Sequence, residues 1–556
     1  MVVVVCPFVT PSRPAKLLHD RILEAFDQRP HEIALEDGDS GFKWSFAHTR
    51  QLAYSAAHAL AALGFKKGDV MGFYLENRPQ FVPILLGVSA LGGAMSGVNP
   101  LYTAEELGRQ MQDCGARWLF TRWQWLSTVR QALPQHQLSK IIVYDMPAEE
   151  ASRDHAQLIP VEQLFRLASS VKSFPSVPLD VKKDVVLLPY SSGTSALPKG
   201  VMLTHENLNI SFLGSPSTEP TPWRLNRAGD TNLLVLPFFH MAGFLALIWC
   251  LHYGARAVIL PKFDPLLYLQ LAEKHKVSYL LVVPTILVFL AKHPDVKKFN
   301  LSSVKSVAVG AAPTGAELIK LLVQRFPNLE NVTQGYGMTE LGGLTTVCPE
   351  IPLDRMPMGS VGVPIPGTQM KVMSMASDDG TEGERKELGP NERGEIWVKS
   401  SGVMKGYINR PEATEETIDR DGWLHTGDVG YYDHFGHFYI VDRLKELIKY
   451  KGYQVAPAEL EDLILRHVSV QEVGVVGIPD PIEPDVGELP TAFVVLKPGF
   501  KRNKQTADAI KKHVAEHKAN YKQLRGGIIF VDNIPKGGTG KMLRRELKSM
   551  NLGSKL

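Results

Sequence analysis

The sequence predicts an α/β protein, with a large N-terminal α/β domain over residues 1–442 and a smaller α+β domain over residues 443–556. Three observations carry this prediction. Short apolar runs that read as buried strands alternate with stretches of helical periodicity, the pattern of parallel strands joined by crossover helices. The 556 residues, 44% hydrophobic and 21% charged, can fill a large core and more than one domain. Beyond Asp442-Arg443-Leu444-Lys445, about 110 residues carry helices and strands of their own, enough for a small domain.

The elements follow in order. Residues 46–63 place Leu52, Ala56, Leu60 and Leu63 at helical spacing, and Gly64 supplies a left-handed stop. Residues 70–75 read as a strand, and Pro79 opens a helix with Phe81, Leu85 and Val88 on one face. Buried strands are expected near residues 118–120, 141–144, 255–260, 279–283 and 304–309. The loops after Leu188 and Val309 fall beyond strand ends, where ligands of such sheets bind. Residues 376–393 read as a solvated hairpin or loop. In the C-terminal part, helices are expected over 457–467 and 506–517, and strands near 473–476 and 492–496. The apolar run 244–260 is broken by His252 and Arg256, so it reads as a buried helix plus strand and no transmembrane segment is expected.

Composition narrows the function classes. A net charge of +3 gives no basis for nucleic-acid binding. Cys6, Cys114, Cys250 and Cys348 are far apart and form no CxxC pair, which argues against a metal site or disulfide framework and suits a reducing compartment. The apolar start lacks a basic segment and is a poor signal peptide. Ser554-Lys555-Leu556, as a free carboxy-terminal tripeptide, is a peroxisomal address read by an import receptor, so a peroxisomal location is expected.

The chemistry starts at residues 190–200. Tyr190-Ser191-Ser192-Gly193-Thr194-Ser195-Ala196-Leu197-Pro198-Lys199-Gly200 is a loop dense in hydroxyls and backbone N–H groups and closed by a lysine. Such a loop can wrap a polyphosphate. It is not a Walker A loop, because Lys199 is followed by glycine and the pattern reads strand–loop–strand before a helix capped by Thr204. Taken alone, it fits an ordinary Ser/Gly hairpin equally well.

Further motifs follow in a fixed order. They are Leu236-Pro-Phe-Phe-His240-Met-Ala242-Gly243, Gly310-Ala311-Ala312-Pro313 and Gln334-Gly335-Tyr336-Gly337-Met338-Thr339-Glu340. Next come Gly394-Glu-Ile-Trp-Val398, Gly422-Trp-Leu-His-Thr-Gly-Asp428 and Asp442-Arg443-Leu-Lys445-Glu-Leu-Ile-Lys449-Tyr-Lys-Gly452. Pro535-Lys-Gly-Gly-Thr-Gly-Lys541 is last. Singly, each has a plain reading: Asp428 as a turn residue, Glu340 as a helix N-terminal acid, His240 as a satisfied core histidine, Lys541 as a solvated loop lysine. As an ordered set covering nearly the whole chain, they resemble the adenylate-forming (AMP-binding) superfamily, in its 4-coumarate–CoA-ligase-like and acyl-CoA synthetase branch related to beetle luciferases.

The resemblance implies an ATP-dependent acid–CoA ligase. The acid attacks the α-phosphate of ATP to give an acyl-adenylate, and CoA then takes the acyl group, which splits one hard step into two easier ones. By resemblance, Ser191, Ser192, Gly193, Thr194 and Ser195 with Lys199 hold the β- and γ-phosphates, and Glu340 with Thr194 carries Mg²⁺. Thr339 touches the α-phosphate. Gly335, Tyr336 and Gly337 lie against the adenine beside Gly310, Ala311, Ala312 and Pro313. Asp428 accepts the ribose hydroxyls near Arg443, and His240 sits beside the reacting carboxylate. Lys541 serves adenylation; rotation of a mobile C-terminal domain about a hinge at Lys445 then brings Lys449 and Gly452 to the CoA channel. The sequence departs from the family at Ser195-Ala196, where a Thr-Gly pair is usual, and at Gly537-Gly538.

The acyl pocket is implied at Ala242, Gly342, Gly343 and Leu344. Small Ala242 and the paired glycines suggest a longer or wider cavity, although glycine also serves close backbone packing. With the peroxisomal tripeptide, a fatty or fatty-like acid is expected first and an aryl-propenoic acid second. The rival classes are a luciferase-like monooxygenase, an adenylation domain serving a carrier protein, and a nucleotide-binding module without turnover.

Overall fold

The computed structural model describes residues 3–8, 14–133, 138–153, 156–191, 198–212, 226–310, 316–326, 328–350, 355, 357–375, 385–450, 453–480, 487–537 and 542–553. Ser192, Gly193, Thr194, Ser195, Ala311, Ala312, Pro313, Gly452, Lys541 and the tripeptide at 554–556 lie outside the described residues.

Local chemistry sets the helices. Ser45 accepts from His48 N–H and starts the helix Phe46–Ala62, which Gly64 leaves at φ 95°. Thr103 and Glu106 form a reciprocal capping box, and Thr204 with Asn207 forms another on the helix His205–Asn209. Asp264 caps Pro265–Lys274, whose first residue is the proline that suits that position.

Two large sheets build the N-terminal part. In the first, Val70–Tyr74 lies between Ala94–Gly97 and Trp118–Arg122, all parallel, with Lys140–Tyr144 and Leu158–Pro160 continuing one edge. Its other edge runs through Val185–Leu187 to Lys199–Thr204 and the short strand Tyr190–Ser191. In the second, Asn331–Tyr336, Ser306–Val309, Tyr279–Val282, Thr231–Leu234, Arg256–Ile259 and Ile33–Asp37 are parallel neighbours in that order. The helix Met241–His252 belongs to the largest core cluster and is buried on nearly every face, which explains its unbroken apolar sequence. No helix among the described residues is long and apolar enough to cross a membrane.

The alternation reading did not foresee a third sheet. Val4–Val5, Thr368–Met373, Gly394–Ser400, Leu424–Tyr432 and Phe438–Arg443 pair antiparallel. Beyond the turn Leu444–Glu446, Val470–Pro479 and Glu488–Leu496 pair antiparallel, and Gly527–Phe530 joins them in parallel. The helices Pro457–Ile464 and Lys504–His517 stand within a residue or a few of their expected bounds.

Helix Leu18–Leu23 is tied down by buried histidines. Leu18 N–H donates to His205 Nδ1 at 2.9 Å, and His19 Nδ1 lies 3.0 Å from Ser89 Oγ. Burial pushes the His19 pKa down to about 4 and that of His205 down to about 3. Unfolded histidines titrate near pH 6.5, so between about 6.5 and 4 the unfolded chain takes up protons that the folded chain does not. Stability is therefore complete above this window and falls as pH drops through it, by about 1.4 kcal/mol per unit for each histidine. Urea midpoints at pH 7.5 and 5.5 should show this fall, and the His19→Gln variant should show a smaller one.

Candidate active site

Many of the sequence-predicted residues converge on one cavity of about 220 Å³ between the helix Met241–His252 and the ends of the second sheet. Ser191, His240, Ala242, Gly310, Gly335, Tyr336, Gly337, Thr339, Glu340, Gly343, Leu344 and Arg443 all line it. His240 is the N-cap residue of that helix, with extended backbone, so chain direction alone delivers His240, Met241 and Ala242 to the cavity wall. Gly243 is required because a Cβ there would stand 2.2 Å from Pro237 O.

One polar cluster surrounds Glu340, which is buried in the short turn Thr339–Leu341. Ser191 Oγ donates to its Oε1 at 2.8 Å, and Tyr407 O–H donates to the same oxygen at 2.9 Å. Lys199 Nζ stands 4.8 Å from the centroid of the Tyr407 ring. Lys199 and Ser191 are paired across the two strands that bracket the phosphate loop. Tyr407 is a site residue that sequence reasoning missed. It is an isolated aromatic more than sixty positions from Glu340, and only strand pairing brings it there.

A second cluster forms around Asp428, 4% exposed. Tyr336 O–H donates to its Oδ2 at 2.7 Å, and Arg443 Nε lies 3.2 Å from its Oδ1. Asp428 and Arg443 are directly opposed on antiparallel strands, so the sheet register itself makes the pair. Burial, and then the Asp428 charge, pushes the Tyr336 phenol well above its ordinary range, so it stays a donor.

The glycines correct the expectation of a wide pocket. A Cβ at Gly342 would stand 2.3 Å from Asn207 O, and one at Gly343 would stand 2.2 Å from Leu245 Cδ1. At Gly337 it would lie 1.6 Å from Gly343 O. These glycines let backbone and core approach closely, and Gly342 is not among the cavity-lining residues. The lining also includes two large side chains that sequence reasoning did not single out. They are Trp249 and Tyr279, 4% and 2% exposed.

Not every predicted residue comes together here. Lys445 is exposed in the turn Leu444–Glu446. Lys449 is exposed on the strand Ile448–Tyr450 and does not line the cavity.

The arrangement offers a carboxylate–tyrosine–lysine cluster, an aspartate–arginine–tyrosine cluster, and a cavity whose lining includes large apolar side chains. It has counterparts in known proteins. The family profile described as AMP-binding enzyme matches residues 22–408, and that of the AMP-binding enzyme C-terminal domain matches residues 459–541. The chain belongs to the AMP-binding enzyme family. This AMP-binding enzyme is an AMP-forming acid–thiol ligase. It is 38% identical to the probable 4-coumarate–CoA ligase 1 of Dictyostelium discoideum over 98% of this chain and 96% of that one. It is 37% identical to 4-coumarate–CoA ligase 5 of Oryza sativa subsp. japonica over 96% of this chain and 94% of that one. The ATP-bound crystal structure of MatB from Rhodopseudomonas palustris superposes with a TM-score of 0.80 at 25% identity, covering 96% of this chain and 98% of that one. Asp428 and Arg443 fall between the two profile matches, yet Arg443 lines the cavity and pairs with Asp428.

Proposed function

We propose that this AMP-binding enzyme is an ATP-dependent acid–CoA ligase for a compact aryl acid, of the aryl-propenoic type. The observation that carries the choice of acid is the size and lining of the cavity: it holds about 220 Å³ and is narrowed by the bulky Trp249 and Tyr279, which suits a compact acid better than a long straight chain. The names of the two 4-coumarate–CoA ligase relatives support the same class. Ala242 and the peroxisomal tripeptide favour a fatty acid as the second reading.

In the first half-reaction the acid's carboxylate, held beside His240, attacks the α-phosphate of ATP, and pyrophosphate leaves. Asp428 takes the ribose hydroxyls, Arg443 holds Asp428, and the Tyr336 ring lies against the adenine. Lys199 and the loop after Ser191 receive the β- and γ-phosphates, Thr339 meets the α-phosphate, and Lys541 bridges the reacting anions. Among the described residues, no group of three or more His, Cys, Asp or Glu side chains could hold a metal alone. A buried carboxylate at Glu340 fits Mg²⁺ shared with substrate phosphates, and Glu340 with Thr194 would hold the ion. When bound, the ion supplies neutralisation of phosphate charge. In the second half-reaction the thiolate of CoA attacks the acyl carbonyl and AMP leaves. The domain beginning at residue 443 turns about Lys445, withdraws Lys541 and presents Lys449 and Gly452.

Pyrophosphate release across a panel of cinnamate-type and straight-chain acids tests the choice of acid. Cinnamate-type acids are expected to react best, and a preference for long straight chains would contradict it. Trp249→Ala enlarges the cavity and should raise kcat/KM for longer acids by about ten-fold relative to the wild type.

The location is proposed as peroxisomal, through Ser554-Lys555-Leu556 where it stands as the free end of the polypeptide. Deleting the three residues should disperse the protein into the cytosol with activity intact, and continued punctate import would contradict the assignment.

A further inference from the structure

Tyr407 lies between two charges that the site needs and touches both. It sits on the strand Gly406–Tyr407, antiparallel to Lys199–Thr204, with Tyr407 opposite Val201. Its backbone is fixed on either side: Tyr407 N–H donates to Thr414 Oγ1 at 2.9 Å, Ile408 N–H to Gly200 O at 2.9 Å and Lys405 N–H to Met202 O at 2.9 Å. The side chain is 8% exposed. Its hydroxyl donates to Glu340 Oε1, the oxygen that Ser191 Oγ also reaches, and its ring lies under the Lys199 ammonium.

We propose that Tyr407 is a positioning residue for the first half-reaction, one rigid side chain that aligns both Glu340 and Lys199 for ATP. The inference rests on the reading above, in which Glu340 faces the metal and Lys199 the phosphates. Two donors on Oε1 fix the carboxylate and would leave Oε2 to face the metal. Hydrogen bonds to an ionised carboxylate are among the strong ones, and they fix direction as well as energy. The ring quadrupole attracts the ammonium and limits where Nζ travels.

The two contacts separate by substitution. Tyr407→Phe keeps the ring under Lys199 and removes the donor to Glu340. Tyr407→Leu removes both. The experiment is calorimetric binding of a non-hydrolysable ATP analogue, with and without Mg²⁺ and with no acid present, on the wild type and both variants. Thermal melting of each variant verifies folding. Tyr407→Phe is expected to lose about ten-fold of affinity with Mg²⁺ and none without it. Tyr407→Leu is expected to lose affinity in both conditions. Wild-type binding by Tyr407→Phe in both conditions, or an equal loss in both, would overturn the proposal. Glu340→Gln serves as the control on the underlying reading. If it keeps full Mg²⁺-dependent binding, the metal assignment fails whatever Tyr407 does.

Discussion

Lys541→Ala is expected to lower adenylate formation by about 10²- to 10³-fold while leaving thioester formation from supplied acyl-adenylate near the wild-type rate. The first half-reaction brings a carboxylate against a triphosphate, and their mutual repulsion must be offset where the bond forms. A lysine aimed at that point acts in the transition state more than in the ground state, so its loss appears in kcat. The second half-reaction no longer contains that anion pair. Lys449→Ala is expected to do the reverse, sparing adenylation and slowing transfer to CoA. Both lysines lie beyond the turn Leu444–Glu446. Arg544, three residues after Lys541, is anchored to Glu461 and lies 2.9 Å from Glu446 in that turn. In the proposed mechanism, one movement of this unit exchanges one lysine for the other. Equal loss of both half-reactions in both variants would contradict the two-position account.

Asp428→Ala should abolish measurable ATP binding and lower the melting temperature as well. The carboxylate holds the Arg443 guanidinium at 3.2 Å and the Tyr336 phenol at 2.7 Å. Removing one partner of a buried pair leaves the other charge without compensation, at a cost of about 3–5 kcal/mol where burial is complete. Arg443 keeps a side-chain exposure of 31%, so solvent reduces the cost toward about 2 kcal/mol. Asp428→Asn preserves shape and one acceptor but also removes the charge, so it should lose less stability than Asp428→Ala while still binding ATP far more weakly. Calorimetry with ATP and thermal melting separate the two effects. Wild-type affinity in a folded Asp428→Asn variant would remove Asp428 from the ribose site.

Local signals were readable wherever the controlling interaction spans few residues. The cap at Thr204, the stop at Gly64 and the strand–loop–strand around the phosphate loop depend on neighbours in sequence. The motif order brought His240, Tyr336, Thr339, Glu340 and Arg443 to one cavity, because each sits at an element end that chain direction aims inward. The antiparallel sheet from Thr368 to Arg443 was hidden because its strands pair through loops that carry no crossover helix. Tyr407 was hidden for a related reason, since its contacts with Lys199 and Glu340 exist only after distant strands meet. Gly342 and Gly343 were ambiguous in sequence. A missing side chain means either space or contact, and only the positions of Asn207 and Leu245 decide for contact.

Mass spectrometry of the purified protein with ATP, Mg²⁺ and a mixed pool of carboxylic acids, with and without CoA, tests the central claim most directly. The account predicts AMP and pyrophosphate, with acyl-CoA thioesters of compact aryl acids that appear only when CoA is present. Adenylates that accumulate with CoA present and never become thioesters would contradict it and point to another acceptor or to oxygen.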